Sequence, residues 1–575
     1  MGSADGLYAL ASLDGAPLAM RDRLALGLPA DTDAPVLVRA RDGGAPATIG
    51  PPAFLGHLDE PDALAAELGL DRATPPARLL CAALARFGDV TPARVPGEWS
   101  WLDWDGMTLT LMASDTLRDR LLFATDGRRV AVAPHVAALA RLDWVERRPD
   151  SANLLRHMGR APLRTTIGDR TMLGGVRRVE AGTCVRIARG RTWASTRLPL
   201  PEPVPWTGGF AEAVEALEAV LRHSLRALMV RHPASAVLLS GGLDSSLLAV
   251  FAAAERGAGS LVALTSVAPP DSGLPDEAGF ARMVADQAGI AMRPVVPGPD
   301  ADPYRPGDAM LRWMQHPLAS PRHYLYDALY REAREAGADA VLDGSEGEWS
   351  LTAYPDGLGP RQRVRDWLGG LGARMRAPSV HDAFQVRLSA PALAVAAHEL
   401  GPAMRLPPSR FVHRRGGPWG YSPSIEQTLG QTTTTPLPEV RRLLPLRDRR
   451  LLTMFAGMPY RFVTEGGLAR APGRALLAGK VPDAVRLRTR GAPFSPDYPY
   501  RMRRHAARTR AYLADYVRAG VGEWLDLAWL DTALGVIATR DDVPLDLLFQ
   551  AQATAMTAAF LTHWLEDDAR LDIRA

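Results

Sequence analysis

The sequence predicts an α/β protein of two domains. Three observations support this prediction. The first 200 residues lean toward short strands, a proline-rich stretch at 198–206 (LPLPEPVPW) follows, and apolar strands then alternate with helices. That alternation predicts a parallel, doubly wound sheet. We therefore assign residues 1–200 to the first domain and 207–575 to the second.

The composition is that of an ordinary globular protein, with 47% hydrophobic and 23% charged residues among 575. The net charge of +3 is small for this length and argues neither for nor against nucleic acid. Two cysteines, Cys81 and Cys184, make neither a disulfide framework nor a cysteine-based zinc site. No signal-peptide pattern and no apolar run of about 18 residues is seen. We expect a cytoplasmic enzyme without nucleic-acid or membrane partners.

Strand patterns dominate the first domain. Residues 7–12 and 36–40 are short strand candidates, and residues 77–86 (ARLLCAALAR) have helical spacing. Alternating tryptophans at 97–104 end in the Asp105-Gly106 turn, after which residues 107–112 return as the partner strand. We interpret the tryptophan row as sandwich core rather than as a binding cage.

The second domain opens with an amphipathic helix at 211–230. An apolar strand at 236–239 leads into the polar turn SGGLDSS at 240–246, and residues 247–255 are predicted to be helical. A strand, a glycine turn and a helix in that order form an anion site, because the free N–H groups and the positive dipole end of the helix favour phosphate.

Each residue type in this turn suits phosphate binding. Gly241 and Gly242 let the backbone approach a ligand closely, and Ser240 and the two serines after Asp244 add hydroxyl groups. Asp244 cannot bind phosphate directly, so we predict that it holds magnesium. No lysine follows the glycines, which excludes the common P-loop.

Three further strands are predicted at 260–267, 292–296 and 338–342. Ligands of parallel sheets bind at the carboxyl ends of the strands, where Ser240 and Val267 fall. The third strand runs into an acidic loop that begins with Asp343-Gly344-Ser345 and reaches Glu348. Two carboxylates, Asp244 and Glu348, would suffice to hold magnesium on a triphosphate.

The turn SGGLDSS is similar to the pyrophosphate loop of ATP pyrophosphatases, in the form found in the asparagine synthetase family. Residues 86–105, 114–124 and 176–182 resemble stretches of that family's glutaminase domain. The resemblance implies an N-terminal Ntn-hydrolase-like αββα sandwich. It also implies a C-terminal ATP-pyrophosphatase (adenine nucleotide alpha hydrolase-like) doubly wound parallel sheet with added helices.

The same resemblance implies site residues. The family's loop "sGeGaDElfgGY" aligns Gly344 with its first glycine and Glu348 with the metal-binding aspartate, while Trp349 replaces the next acid. Val267 is the position for adenine contact. The segment 481–491 resembles "lP-il-R-K-gf", which places Arg490 where the family has a charge-stabilising lysine; Arg488 and Lys480 are the alternatives.

The predicted cofactors are ATP and Mg²⁺. The catalytic candidates are Arg490, Glu348 and Asp244, of which Asp244 and Glu348 are the metal ligands. The predicted nucleotide contacts are Leu238, Ser240, Gly241, Gly242, Leu243, Asp244, Ser245, Ser246, Val267 and Gly344.

One departure from the family concerns the first domain. The family's glutaminase uses an N-terminal cysteine as nucleophile, whereas position 2 is Gly2 and neither cysteine lies near the start. We therefore expect this domain to release no ammonia from glutamine and to serve as a scaffold.

Two branches of the family use an amine that is already inside the substrate. Relatives that close β-lactam rings carry a tyrosine before the metal-binding acid, where this chain has Ser345. Residues 490–498 (RGAPFSPDY) look like the corresponding loop of lasso peptide cyclases, which join the α-amine of a peptide to an Asp or Glu side chain. This resemblance implies a precursor peptide as substrate, with a leader-peptide protease and a small leader-recognition protein as partners. The alternatives are an asparagine synthetase, a β-lactam synthetase-type amidoligase, and a degenerate nucleotide-binding scaffold.

Overall fold

A computed structural model gives the structure of the chain. It describes residues 6–29, 36–41, 47–115, 121–164, 166–195, 202–274, 277–317, 320–354, 380–401, 440–489, 495 and 497–566. The predicted catalytic residue Arg490 lies outside these ranges, as does most of the stretch between residues 355 and 439.

The first region, residues 6–195, is built mainly from antiparallel strands. Its strands are β1 (Gly6–Ser12), β2 (Val36–Arg41), β3 (Ala47–Ile49), β4 (Ala53–Leu58), β5 (Gly97–Trp104), β6 (Leu109–Ala113), β7 (Leu122–Thr125), β8 (Arg129–Ala133), β9 (Arg177–Arg178), β10 (Cys184–Ala188) and β11 (Arg191–Ala194). Its helices are α1 (Met20–Ala25), α2 (Pro61–Leu68), α3 (Pro76–Phe87), α4 (Thr91–Arg94), α5 (Val136–Leu139), α6 (Ser151–Met158) and α7 (Ala161–Arg164).

These strands form two sheets that pack face to face. The first sheet has the order β3-β2-β1-β8-β7-β9 and the second β11-β10-β6-β5-β4. Leu7 of β1 and Leu111 of β6 belong to the apolar core between them. Helices α5 and α6 pack on the outer face of the first sheet, and α2 and α3 on that of the second, which gives four layers in the order αββα.

The tryptophan strand β5 pairs with β6 as predicted, with Leu102 opposite Leu111. Trp99 and Trp101 are buried, but they face α2 and α3 and not the space between the sheets. Since side chains alternate along a strand, Leu102 takes the inter-sheet face instead. The tryptophans are therefore core residues, although the predicted layer was wrong.

The second region, residues 202–566, alternates strands and helices. Its strands are β12 (Ser235–Leu238), β13 (Leu261–Ser266), β14 (Ala291–Val295), β15 (Ala340–Leu342) and β16 (Arg441–Leu443). Its helices are α8 (Phe210–Arg231), α9 (Leu243–Arg256), α10 (Ala278–Ala288), α11 (Asp308–Trp313), α12 (His323–Glu335), α13 (Ala390–Leu400), α14 (Arg449–Ala456), α15 (Ala471–Leu476), α16 (Asp483–Arg486), α17 (Tyr498–Ala511), α18 (Leu513–Arg518), α19 (Leu527–Thr539) and α20 (Leu545–Glu566).

The five strands form one parallel sheet in the order β14-β13-β12-β15-β16. Val237 of β12 packs with α8 and α9, whereas its neighbours Ala236 and Leu238 pack with α12, α17 and α19 on the opposite face. The predicted α/β architecture is thus confirmed. The strand order changes direction between β12 and β15, so the loops that follow these two strands flank the switch point.

Contacts join the two regions. Arg449 of α14 pairs with Asp115 and also donates to the carbonyl of Ala93. Arg450 donates to Glu60 at 2.7 Å. The C-terminal helix α20 contributes Phe560 and Trp564 to the core cluster that covers the first sheet.

Candidate functional site

The loop after β12 is shorter than predicted. β12 ends at Leu238 and α9 begins at Leu243, not at the predicted Leu247. Gly242 caps the helix with extended angles (φ −80°, ψ 164°). Asp244 therefore lies in the first helical turn, where a carboxylate interacts favourably with the helix dipole.

Gly241 needs its missing side chain. Its φ is +71°, and a Cβ at this position would lie 2.6 Å from Cβ of Phe280 and 2.7 Å from the backbone nitrogen of Ala281. Glycine alone satisfies both the left-handed backbone and the close approach of α10.

The serines of the turn bond to one another. The backbone N–H of Ser240 donates to Oγ of Ser245 at 3.2 Å, and the two hydroxyls are 3.1 Å apart. Ser245 also donates to the carbonyl of Gly242 at 3.1 Å. These bonds fix the shape of the turn before any ligand binds.

A second loop, which follows β15, packs against the start of α9. A Cβ on Gly344 would lie 2.9 Å from the backbone nitrogen of Ser245, and a Cβ on Gly347 would collide with the carboxylate of Asp244. Asp343 accepts hydrogen bonds from the N–H of Ser345 at 2.8 Å and from Arg442 at 2.9 Å. The two glycines thus allow both loops to meet at the switch point.

The carboxylate of Asp244 has two donors in this structure. Arg470 donates to Oδ2 at 2.7 Å, and the hydroxyl of Thr352 donates to Oδ1. Burial raises the pKa of Asp244, although Arg470 and Thr352 oppose the shift. Asp244 is thus a partly buried carboxylate whose negative charge is stabilised only in part by Arg470 and Thr352.

Glu348 adds to this charge. Desolvation by surrounding protein raises its pKa even though the side chain reaches solvent, and the negative charges of Asp244 and Glu346 raise it further. Sequence analysis predicted that Asp244 and Glu348 would meet, and the structure brings them within electrostatic reach.

The donor set fits a magnesium ion. Among the described residues, no group of three His, Cys, Asp or Glu side chains could hold a metal by itself. Mg²⁺ commonly takes only one or two carboxylates and completes its octahedron with phosphate oxygens and water. Asp244 and Glu348 match that pattern, provided that Arg470 gives up Oδ2.

A cleft of about 390 Å³ lies over the switch point. The predicted residues that line it are Leu238, Ser240, Gly242, Asp244, Ser245, Gly344 and Glu348. Further lining residues come from the end of β13, from the starts of α10 and α12 and from the acidic loop, and include Thr265, Ser266, Glu277, Arg322, Tyr326, Asp343 and Glu346.

The remaining predicted nucleotide contacts do not line the cleft. Leu243 and Ser246 are buried in the core, because α9 starts earlier than predicted and turns their side chains inward. Gly241 packs against α10. The N–H of Val267 donates to the carbonyl of Val295 at 3.0 Å, so it is already engaged, and Ser266 takes its place on the cleft wall.

The cations of the site were only partly predicted. Arg488 pairs with Glu277 at the cleft and lies 4.3 Å above the ring of Phe280. Lys480 instead donates to the carbonyl of Leu476 at 3.0 Å and lies 5.3 Å above the ring of Phe251, away from the cleft lining.

Sequence analysis missed Arg470. Its backbone is left-handed (φ +64°), and besides Asp244 its guanidinium reaches the carbonyl of Thr352 at 3.0 Å and the hydroxyl of Tyr354 at 3.3 Å. Its contact with Asp244 spans 226 positions of sequence, and no local pattern reveals such a pair.

Arg474 holds the cation-bearing segments together. It is buried and donates to the carbonyl of Ala469 at 2.7 Å, to that of Arg486, and to that of Arg488 at 3.0 Å. One side chain therefore fixes the backbone before Arg470 and at Arg488.

The structure also places Glu346 at the cleft, with Arg447 behind it. Glu346 is left-handed (φ +73°), and Nε of Arg447 lies 3.4 Å from its Oε2. The Arg447 side chain has no exposed surface.

Comparison with protein-family models found a match to part of the chain. Residues 216–431, less than half of the chain, match the family model described as asparagine synthase. The match covers both loops of the cleft. It supports a relationship to the asparagine synthetase family and indicates ATP-dependent amidoligase activity.

No curated protein matches the chain. Among solved structures, glutamine phosphoribosylpyrophosphate amidotransferase from B. subtilis, complexed with ADP and GMP, is 11% identical with a TM-score of 0.23, over 63% of this chain and 79% of that one. Glutamine-dependent NAD+ synthetase from Acinetobacter baumannii, in complex with ADP, is 19% identical with a TM-score of 0.17, over 28% of this chain and 29% of that one. NMN synthetase from Francisella tularensis is 15% identical with a TM-score of 0.18, over 36% of this chain and 100% of that one. Similarities this low carry no functional argument.

No helix in the described ranges has both the length and the apolar character that crossing a bilayer requires.

Proposed function

We propose that the protein is an ATP-dependent ligase that closes a macrolactam in a precursor peptide, as lasso peptide cyclases do. It would adenylate an Asp or Glu side-chain carboxylate and join it to the N-terminal amine, with release of pyrophosphate and AMP. One observation carries the proposal: two loops at the switch point bring the serine-glycine turn and the carboxylates of Asp244 and Glu348 into one cleft.

In fold terms, we assign the parallel sheet to the ATP-pyrophosphatase type and the four-layer region to the Ntn-hydrolase-like type. The sheet order and the αββα layers support these assignments. On this basis the first region is a scaffold, and the chemistry belongs to the second region.

The turn would hold the phosphates of ATP. Ser240 and the residues Gly242, Asp244 and Ser245 at the start of α9 line the cleft, and the helix dipole favours negative charge there. The end of β13, with Thr265 and Ser266 on the wall, is suited to the adenosine.

Asp244 and Glu348 would hold Mg²⁺ against the phosphates. Bound there, the ion would neutralise the charge that develops on pyrophosphate as it leaves. Arg470, released from Asp244, would stay beside the phosphates and add positive charge there. Arg490 is proposed for the same task at the α-phosphate.

The reaction then has two steps. An oxygen of the peptide carboxylate attacks the α-phosphorus, and the bond from that phosphorus to the pyrophosphate oxygen breaks. The amine nitrogen next attacks the acyl carbon, the bond to the AMP oxygen breaks, and one proton is released. The cleft contributes by holding both partners in line and by limiting water.

The resemblance of residues 490–498 to the lasso cyclase loop supports a peptide substrate, and Ser345 in place of a tyrosine disfavours β-lactam closure. A leader-peptide protease and a small leader-recognition protein are the proposed partners. These proteins would deliver a peptide whose N-terminal amine has just been exposed.

The test is ATP–pyrophosphate exchange with the precursor peptide, followed by mass analysis of the product after co-incubation with both partners. We expect the protein to catalyse ATP–pyrophosphate exchange and to give a product that is lighter by one water than the uncyclised peptide. Glutamate release from glutamine would instead support an asparagine synthetase. Nucleotide binding without exchange for any carboxylate would support a degenerate scaffold and refute the proposal.

A further inference from the structure

Thr352 joins three elements beside the predicted metal ligand Asp244. It lies in the loop after β15 and has no exposed surface. Its N–H donates to the carbonyl of Gly347 at 3.0 Å, and its own carbonyl accepts from Nε of Arg470 at 3.0 Å. Its hydroxyl donates to Oδ1 of Asp244 at the start of α9. The acidic loop, α9 and the residue before α15 are thus tied together at one threonine.

The surrounding protein directs the hydroxyl of Thr352 at Asp244. A carboxylate accepts hydrogen bonds, and a bond to such a charged acceptor is stronger than one between neutral groups. A β-branched side chain has few rotamers. Close packing restricts this one further, because a Cβ on Gly473 of α15 would lie 2.9 Å from Cγ2 of Thr352. The donor is therefore in place before any ligand binds.

The two donors to Asp244 differ in how a nucleotide would affect them. Arg470 donates to Oδ2 at 2.7 Å, but a guanidinium also binds phosphate, and the ring of Tyr354 gives it a second contact at 4.9 Å from Cζ. Thr352 is neutral and does not line the cleft, so phosphate cannot draw its hydroxyl away in the same manner. When Arg470 leaves Asp244, the bond from Thr352 still limits rotation of the carboxylate.

The threonine is a feature of this chain. With Gly344 and Glu348 aligned to "sGeGaDElfgGY", Thr352 falls on a glycine of that motif. Glycine has no hydroxyl, so the motif itself does not supply the hydrogen bond to Asp244. The bond is therefore an addition that this sequence makes to the loop.

We infer that Thr352 is a positioning residue, which holds Asp244 in the orientation that receives Mg²⁺ together with ATP. Since Thr352 does not line the cleft, it acts through Asp244. This inference rests on the metal assignment within the proposed function. Hydrogen-bond partners of metal-binding carboxylates typically contribute about 10- to 100-fold to metal affinity.

The first experiment measures binding rather than turnover. The full-length protein is titrated calorimetrically with a non-hydrolysable ATP analogue, once with Mg²⁺ and once with EDTA. Thr352→Val replaces the hydroxyl by a methyl group of similar size. We expect this variant to bind the Mg²⁺-bound analogue roughly 10-fold more weakly than the unmodified protein does. Its affinity for the metal-free analogue should be unchanged, whereas a merely structural role would weaken both.

Thr352→Ser is the conservative variant. It keeps the hydroxyl, so it should bind both forms of the analogue nearly as the unmodified protein does. If Thr352→Val folds poorly, Thr352→Ala also removes the hydroxyl and should show the same selective loss. A serine variant as weak as the valine variant would show that the hydroxyl is not what matters, and would overturn the inference.

The second experiment tests whether Thr352 acts through Asp244. The same titrations are made with Asp244→Asn and with the double variant. A residue that acts only through Asp244 has no charged ligand left to position there, so Thr352→Val should cause no further loss of affinity. A further loss as large as that in the unmodified background would contradict the inference.

Thr91→Val is the matched control. Thr91 of α4 is also fully buried, and its hydroxyl donates to the carbonyl of Gly88 at 2.7 Å. Both affinities should be unchanged in this variant. Undiminished binding of the Mg²⁺-bound analogue by Thr352→Val or Thr352→Ala would overturn the inference alone.

The proposed function can fail separately. Absence of ATP–pyrophosphate exchange in the unmodified protein, with Mg²⁺-dependent binding of the analogue retained, would overturn the proposed function and leave this inference standing. Binding by the unmodified protein that does not depend on Mg²⁺ would overturn the metal site, and this inference with it.

Discussion

The two regions of the chain use their sheets differently. In the first region, antiparallel strands end alternately at opposite edges, so residues at strand ends are scattered. In the second region, five parallel strands end at one edge, and the loops after β12 and β15 meet there. The comparison shows how a glycine turn after a strand comes to line a cleft in the second region.

The two regions also differ in how their sheets are covered by apolar residues. Both sheets of the first region are covered on each face by apolar clusters, which suits a supporting role. The parallel sheet is covered on both faces too, but its end opens into a cleft with Asp244, Glu346 and Glu348. We therefore expect carboxylates of the second region to govern chemistry and those of the first to govern stability.

The largest effect is expected from Asp244→Asn. This variant keeps the size of the side chain but removes the charge that would hold the metal, so exchange should fall by about 1000-fold or more. Asp103→Asn, on β5 of the first region, is the control and should leave exchange unchanged. Comparable exchange in the two variants would contradict the division of roles.

Removal of the contact between the regions comes next. Arg449→Met takes the cation from the buried Asp115, so we expect the free energy of unfolding to drop by about 3 to 4 kcal/mol. Urea denaturation measures this drop, and the KM for ATP should stay within about 2-fold. Arg510→Met removes a solvent-exposed pair with Asp531 inside the second region and should lower the free energy of unfolding far less. Equal losses in the two variants would mean that the contact between Arg449 and Asp115 stabilises the protein no more than an exposed ion pair does.

Much of the second region follows from its sequence. Apolar strands that alternate with amphipathic helices predict the parallel sheet, and the glycine turn predicts where ligands bind. The start of α9 was predicted too late, because Asp244, Ser245 and Ser246 are polar and fall outside an apolar repeat. Such residues are common in a first helical turn, which is a capping signal rather than a periodic one.

Other features depend on contacts that local patterns do not encode. β16 has only three residues, two of them arginines, so no strand pattern marks it. Arg470 reaches Asp244 through the tertiary fold alone. Glu346 did leave a signal: with Gly344 and Glu348 aligned, it occupies the second glycine of "sGeGaDElfgGY", and a charged residue at a glycine position merits attention.

Acid should affect the second region through His323. This side chain at the start of α12 is fully buried, its Nε2 lies 3.0 Å from the carbonyl of Pro303, and burial lowers its pKa to about 4. An unfolded chain would bind a proton near pH 6.5, so stability present above that pH is lost as the pH falls toward 4. We expect the free energy of unfolding to fall by about 3 kcal/mol, at 1.4 kcal/mol for each pH unit between the pKa values of the unfolded and folded chain.

Hydrogen exchange at pH 7 and pH 4.5 checks this prediction. Amides of α12 and β15 should become less protected at the lower pH before those of β5 do. His323→Gln should reduce the difference between the two pH values. Equal loss of protection in both regions would show that acid does not act through this histidine.

The smallest effect tests the turn itself. Gly241→Ala and Gly257→Ala change the two glycines that bracket α9, and both positions have positive φ (+71° and +85°). At Gly257 nothing lies within 4 Å of the added Cβ, so only the backbone cost of about 1 kcal/mol applies. At Gly241 the added Cβ also collides with α10, so we expect about 2 kcal/mol in total and a 10-fold weaker affinity for ATP. Calorimetric titration with ATP compares the two, and equal affinities would mean that the tight packing of this turn against α10 does not shape the phosphate site.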